Sequence, residues 1–195
     1  METRLFVDLR ETAWTGEVLS LAEAHAHLRT EGLDRDSEVA AVLAAARHAL
    51  EREHGVLLRE SVTCTFTIDA WPEQDLQCYL PVSPVQSITS VAYTDEAGTS
   101  QTLASTFYSL RNPTHGRSSM QFIGGMVLPV IKLRSEIVIT VNAGWGVGNV
   151  PKVGKQATKL MMTTLFDESD AVPHHELFTR RASDLMQNLV SGILL

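Results

Sequence analysis

The sequence predicts an α+β fold in which a helical scaffold carries an inserted small antiparallel β-domain. Three observations predict it. Apolar residues recur every three to four positions over residues 20–54 and again after Pro151, the spacing of one helix face. Between residues 60 and 141 the period changes to two, the spacing of a half-buried strand. Within that region turn residues follow one another at hairpin spacing, with no helical crossovers, which excludes a doubly wound parallel sheet.

The elements follow in order. Residues 1–19 mix a small apolar knot (Leu5, Phe6, Val7, Leu9) with charges and a lone Trp14, and suit an arm that adds to an edge or packs on its own domain. Ser20 and Glu23 form a capping-box pattern, so a short helix is expected over 20–30, with Leu21, Ala24 and Leu28 on one face and Gly32 as its stop. Asp34 or Asp36 is placed to cap a second helix over 35–54, about 30 Å long at 1.5 Å per residue. Val39, Val42, Leu43, Ala46 and Leu50 form its apolar stripe, and Gly55 its end.

In the β-region, Val62, Cys64, Phe66 and Ile68 alternate with polar residues. A turn through Trp71 and Pro72 to Asp75 should return the chain at residues 76–80. Further strands are expected at 85–93, 99–103, 107–110, 120–123, 127–133 and 136–141, with Asp95 to Gly98 as a hairpin turn and 111–119 as a polar loop. Pro151 suits the first turn of a third helix over 151–167, with Val153, Ala157, Leu160, Met161, Thr164 and Leu165 inward. After a polar loop, a last helix over 179–193 places Leu185, Leu189 and Ile193 in line. The expected organisation is an N-terminal arm (1–19), one domain (20–168), and a C-terminal loop and helix (169–195).

Bulk properties narrow the function. The chain has 195 residues, 44% hydrophobic and 20% charged, enough for a packed core. Its formal net charge of -7 disfavours any role that grips DNA by neutralising phosphates. No apolar stretch approaches the roughly 20 residues that span a bilayer, and residues 1–19 lack a secretory pattern, so a cytoplasmic protein without a membrane partner is expected. The two cysteines, Cys64 and Cys78, make neither a disulfide framework nor a zinc pattern. They are expected to face each other across a hairpin centred near Trp71, as reduced thiols.

The order strand, glycine turn, helix over residues 137–165 raises the question of a phosphate site. The spacings answer against it. Gly144, Gly146 and Gly148 give G-x-G-x-G, whereas a dinucleotide fingerprint needs G-x-G-x-x-G. Gly154 and Lys155 match the end of a P-loop, but Asn149 stands at its first glycine position, Gln156 replaces the magnesium-binding hydroxyl, and Pro151 lacks an amide. The glycines are therefore expected to turn the chain sharply and to bring Trp145 onto a surface or a neighbour. His25 and His27 point to different sides of a helix, and His174, His175 and Glu176 lack a third spaced ligand, so no metal site is expected. No nucleophile–base arrangement stands out, so neither catalytic residues nor a cofactor are expected. Lys152, Lys155 and Lys159 form a stripe that is either a solvated face or a contact for an acidic partner.

The ordered set of segments resembles the head–tail connector (adaptor, or head-completion) proteins of tailed bacteriophages and related gene transfer agents. The matching pieces are SLAEAHAHL at 20–28, the alanine-rich helix of 38–58 with its GVLL end, LPVSPVQSITSVAY at 80–93, and the AGWG turn with its following Val-Pro at 137–156. The resemblance covers roughly residues 20–168; the longer N-terminal arm and the segment after Asp167 depart from it. It implies a non-enzymatic protein of the virion neck, made in the bacterial host. It implies a dodecameric ring beneath the portal protein, bound on its other side by the next neck or tail-completion protein. Genomic DNA would pass through without specific binding. The candidate interface residues are Trp145, Lys152, Lys155, Lys159, Leu185 and Leu189. The alternatives are a tail-completion protein of the same neck and a nucleotide- or DNA-binding accessory of packaging.

Overall fold

The structure is a computed structural model that describes residues 5–30, 33–72, 77–112, 117–166 and 175–191. The chain divides into two compact units, one from residues 1–15 with 61–144, the other from 16–60 with 145–195. The first holds the strands and the second the helices. The α+β architecture expected from the change of period is the one observed.

In the helical unit, α1 (Leu21–Leu28) starts at the capping box: the Glu23 amide donates to Ser20 Oγ at 3.1 Å and the Ser20 amide to Glu23 Oε2 at 2.8 Å. It ends earlier than expected, at Arg29 in the left-handed region with φ 53°; Gly32 lies outside the described residues. α2 (Asp36–His54) follows a 3-10 turn (Leu33–Arg35) and stops at Gly55, φ 65°. Neither Asp34 nor Asp36 caps it. Arg35 takes the cap position without a side-chain hydrogen bond, and Asp36 is drawn to His25 Nε2 at 2.8 Å.

α3 (Lys152–Phe166) opens just after Pro151, whose carbonyl accepts from the Lys155 amide at 3.0 Å. Its buried face runs through Gly154, Ala157, Thr158, Met161, Met162 and Thr164. Leu165, expected inward, is 38% exposed; near that end of the helix the buried face is Met161, Met162 and Thr164. α4 (His175–Ser191) begins four residues before its expected start and packs on α3 and α2; the expected end at Ile193 lies outside the described residues. Val39, Leu43, Ala46 and Leu50 of α2, Met161 and Met162 of α3, and Ala182 and Met186 of α4 form one core.

In the β-unit, β1 (Leu5–Thr15), β2 (Ser61–Ile68), β4 (Val85–Thr94), β5 (Ser100–Thr102) and β8 (Ile137–Ala143) make a sheet of order β1-β2-β8-β4-β5. β3 (Gln77–Tyr79), β6 (Tyr108–Arg111) and β7 (Ser119–Phe122) make a second, of order β3-β7-β6. Among the described residues all strand pairs are antiparallel. The register of β2 on β8 explains the alternation. Cys64 faces Val141, Phe66 faces Ile139 and Ile68 faces Ile137, each fully buried on one side of the sheet.

Two expectations fail here. β2 and β3 do not form a hairpin: β2 lies between β1 and β8, β3 joins the other sheet, and Cys64 and Cys78 are separate buried free thiols. Residues 127–133 are not a strand. They form a connection between β7 and β8 with one isolated bridge, Ile131 to Asp95. Pro129 interrupts any ladder, and a run of apolar residues at successive positions gives no inward and outward faces. Among the described residues, no helix is long and apolar enough to cross a membrane.

Candidate functional site

The turn after β8 places the most distinctive sequence feature. Gly144, Gly146 and Gly148 all take positive φ, at 114°, 82° and 72°, which a side chain would oppose. Its amides are used within the chain. Trp145 N–H donates to the Arg59 carbonyl at 3.2 Å and Gly146 N–H to the Glu60 carbonyl at 2.8 Å. Asn149 N–H donates to the Gly146 carbonyl at 3.1 Å, and Gly148 N–H to the Glu60 carboxylate at 2.8 Å. A phosphate cradle needs convergent free amides; here a carboxylate already accepts at the tip.

Trp145 itself is turned inward. Its indole N–H donates to the Leu57 carbonyl at 2.7 Å, and the ring packs, partly buried, on the helical core. The apolar residue that the turn leaves outside is Val147, 82% exposed.

Beneath this turn lies a charged network with little access to water. Glu51 Oε2 accepts from Arg47 Nη1 at 2.7 Å and lies 3.2 Å from Arg59 Nη2. Its other oxygen accepts the Leu58 amide at 2.8 Å and Arg59 Nε at 3.2 Å. Arg47 Nε pairs with Glu17 at 2.8 Å. A buried carboxylate must have such partners to remain charged. They fix residues 57–60, the segment to which the glycine turn is hydrogen-bonded.

The lysine stripe is divided. Lys152 is exposed, Lys155 Nζ lies 3.6 Å from Glu23, and Lys159 is half-buried. His27 Nε2 lies 2.8 Å from the Lys159 carbonyl and 2.9 Å from Thr163 Oγ1. Leu185 and Leu189 pack on the helical core, each partly exposed. His25 bridges Thr30 and Asp36, both at 2.8 Å. Among the described residues no group of three or more His, Cys, Asp or Glu side chains is placed to hold a metal; His174 lies outside them.

Sequence reasoning missed the largest apolar exposure among the described residues. In the connection between β7 and β8, Val127 is 88%, Val130 65% and Leu133 87% exposed. The available signal was Pro129 within a run that never alternates.

The chain is similar from end to end to chains of known virion structures. It is 26% identical to a chain from the virion of a native gene transfer agent particle, with a TM-score of 0.74 over 97% of this chain and 98% of that one. A chain from the neck of the empty particle, with C6 symmetry, matches at the same identity and TM-score over 96% and 97%. One from the neck of the native particle, with C12 symmetry, matches at 26% and 0.71 over 96% and 97%. This chain is built like a neck protein. No protein-family model and no curated protein matches it.

Proposed function

We propose that this chain is a non-enzymatic structural protein of a virion neck that forms a ring beneath the portal, extends the DNA channel and joins head to tail. The observation that carries the proposal is the end-to-end likeness to gene transfer agent neck chains found in C6- and C12-symmetric assemblies. Both units of this chain are matched, because 96% of its length is covered. The net charge of -7 fits a ring that lets DNA move through it without holding phosphates. Exposed Lys152 and the partly exposed Trp145, Lys155, Lys159, Leu185 and Leu189 are proposed as surfaces for neighbours in the neck.

Imaging and native mass spectrometry of the purified protein, alone and with portal protein, test the proposal. Rings of about twelve copies are expected, in line with the C12 symmetry of the similar neck. A strictly monomeric protein without affinity for portal or tail components would overturn it. Binding to tail-tube protein but not to portal would instead assign it to tail completion.

A further inference from the structure

The connection between β7 and β8, residues 124–136, is an apolar protrusion held in one shape. Trp71 Nε1 donates to the Pro129 carbonyl at 2.8 Å, and the Lys132 amide to the Thr94 carbonyl at 2.9 Å. The Ser135 amide and hydroxyl close a turn onto the Lys132 carbonyl at 3.0 and 2.7 Å, with Arg134 at φ 63°. Val127, Val130 and Leu133 are thus displayed on fixed backbone, flanked by the exposed cations Lys132 and Arg134, with the exposed carboxylate of Glu136 at the end of the segment. Apolar exposure of this kind on ordered backbone marks a contact surface, and the fixed shape lowers the entropy lost on docking.

The helical unit carries a surface of opposite character. An open groove of about 480 Å³ runs between the end of α2 and the first turns of α4, lined by Glu53, Glu176 and Asp184 together with Thr179, Arg180 and Ser183. Three carboxylates face one guanidinium there, and Leu177 beside Glu176 is 43% exposed.

A closed ring requires two different, complementary patches on every copy. We infer that residues 124–136 of one copy dock into the α2–α4 groove of the next, with Lys132 and Arg134 against Glu176 and Asp184 and the apolar side chains between them. The inference rests on the ring reading above and adds which surfaces meet. Opposite charge selects the second copy as occupant: Lys132 and Arg134 outnumber the single carboxylate of the segment, Glu136, on a chain of net charge -7, whereas in the groove Glu53, Glu176 and Asp184 outnumber Arg180.

Charge reversal tests it with the full chain. Lys132→Glu with Arg134→Glu, or Glu176→Lys with Asp184→Lys, should each reduce the ring fraction about ten-fold in sedimentation at low salt. All four substitutions in one chain should restore it to within about two-fold of wild type. All four side chains are exposed, so melting curves are expected to confirm folding of each variant. As an independent measurement, Leu133→Cys with Arg180→Cys in one chain should give a ladder of covalent multimers on mild oxidation. Wild-type rings that are insensitive to both reversals, absence of rescue, or rings without a ladder would overturn the inference alone. Rings that persist in the Lys132/Arg134 variant while portal or tail-component binding is lost would assign the protrusion to that partner and overturn it. Failure of the wild-type chain to form rings would overturn the ring reading and this inference with it.

Discussion

The indole N–H of Trp145 reaches the carbonyl oxygen of Leu57 at 2.7 Å, so the glycine turn is tied to the segment that follows α2. Trp145→Phe keeps most of the ring contact and removes only the donor. The expected loss is about 1 kcal/mol of folding stability, measured by urea unfolding, because the Leu57 carbonyl loses its partner. Following ring assembly in the same variant separates this inward role from any contribution to a neighbour.

Glu51 is predicted to be the most sensitive charged residue of the helical unit. Arg47, Arg59 and the Leu58 amide all converge on it, and its side chain is 6% exposed. Glu51→Gln leaves two guanidinium groups without their shared anion. A loss of about 3 kcal/mol is expected, since breaking a buried pair strands the remaining charge. Differential scanning calorimetry should show a melting temperature well below that of Ser20→Ala, which removes one helix cap at about 1 kcal/mol.

Gly154 is predicted to reject alanine although it lies in a helix. A Cβ there would come within 2.6 Å of Leu58 Cδ2, and Leu58 is fully buried. Helix propensity favours the substitution by about 1 kcal/mol, but overpacking costs about 1–3 kcal/mol. A net loss of about 1 kcal/mol is expected in urea unfolding.

The capping box should make α1 sensitive to acid. The Ser20 amide, with added help from the charge of Lys155, holds the Glu23 carboxyl below its ordinary range against a smaller opposing effect of burial. A depressed folded-state pKa gives stability that is present above the unfolded value of about 4.3 and is lost as pH falls through the folded value. Glu23→Gln should therefore lower the melting temperature at pH 7, and the gap to wild type should close as pH drops below about 4.

Both cysteines should resist alkylation in the folded protein. Cys64 is 0% and Cys78 5% exposed, and burial pushes the Cys78 thiol pKa up, so less of the reactive thiolate is present. Maleimide labelling followed by mass spectrometry should find two modified thiols in urea and about none in its absence.

What the sequence disclosed was local. Ser20 and Glu23 sit three residues apart, and Gly55 takes the left-handed conformation that ends α2, so both could be found without tertiary information. The face of β2 was equally plain, because side chains two apart share it. The partners of β2 were not, since they come from β8 and β1, far away in the chain. That is why the cysteine hairpin failed. Asp36 failed as a cap for a similar reason: His25, eleven residues back, competes for its carboxylate. The site was legible only in part. Glycine spacing marked the turn, but not that the Glu60 carboxylate, from far back in the chain, accepts the Gly148 amide. The protrusion at Val127, Val130 and Leu133 was concealed by its own hydrophobicity, which reads as core until burial is known.

The division of the chain sets an order of events during synthesis. The strands draw on residues 1–15 and 61–144, so everything the β-unit needs is synthesised, and emerges, ahead of α3 and α4. α1 and α2 emerge early but lack the partners contributed by α3 and α4 until the chain is nearly finished. The β-unit is therefore the first that can close, while the apolar stripe of α2 waits without its helical neighbours. When α3 arrives, the Arg59–Trp145 and Glu60–Gly146 hydrogen bonds join the two ends of the intervening segment at one point. The segment 61–144 thus leaves and re-enters the helical unit at adjacent points, while β1, made before any helix, supplies the strand that pairs along β2.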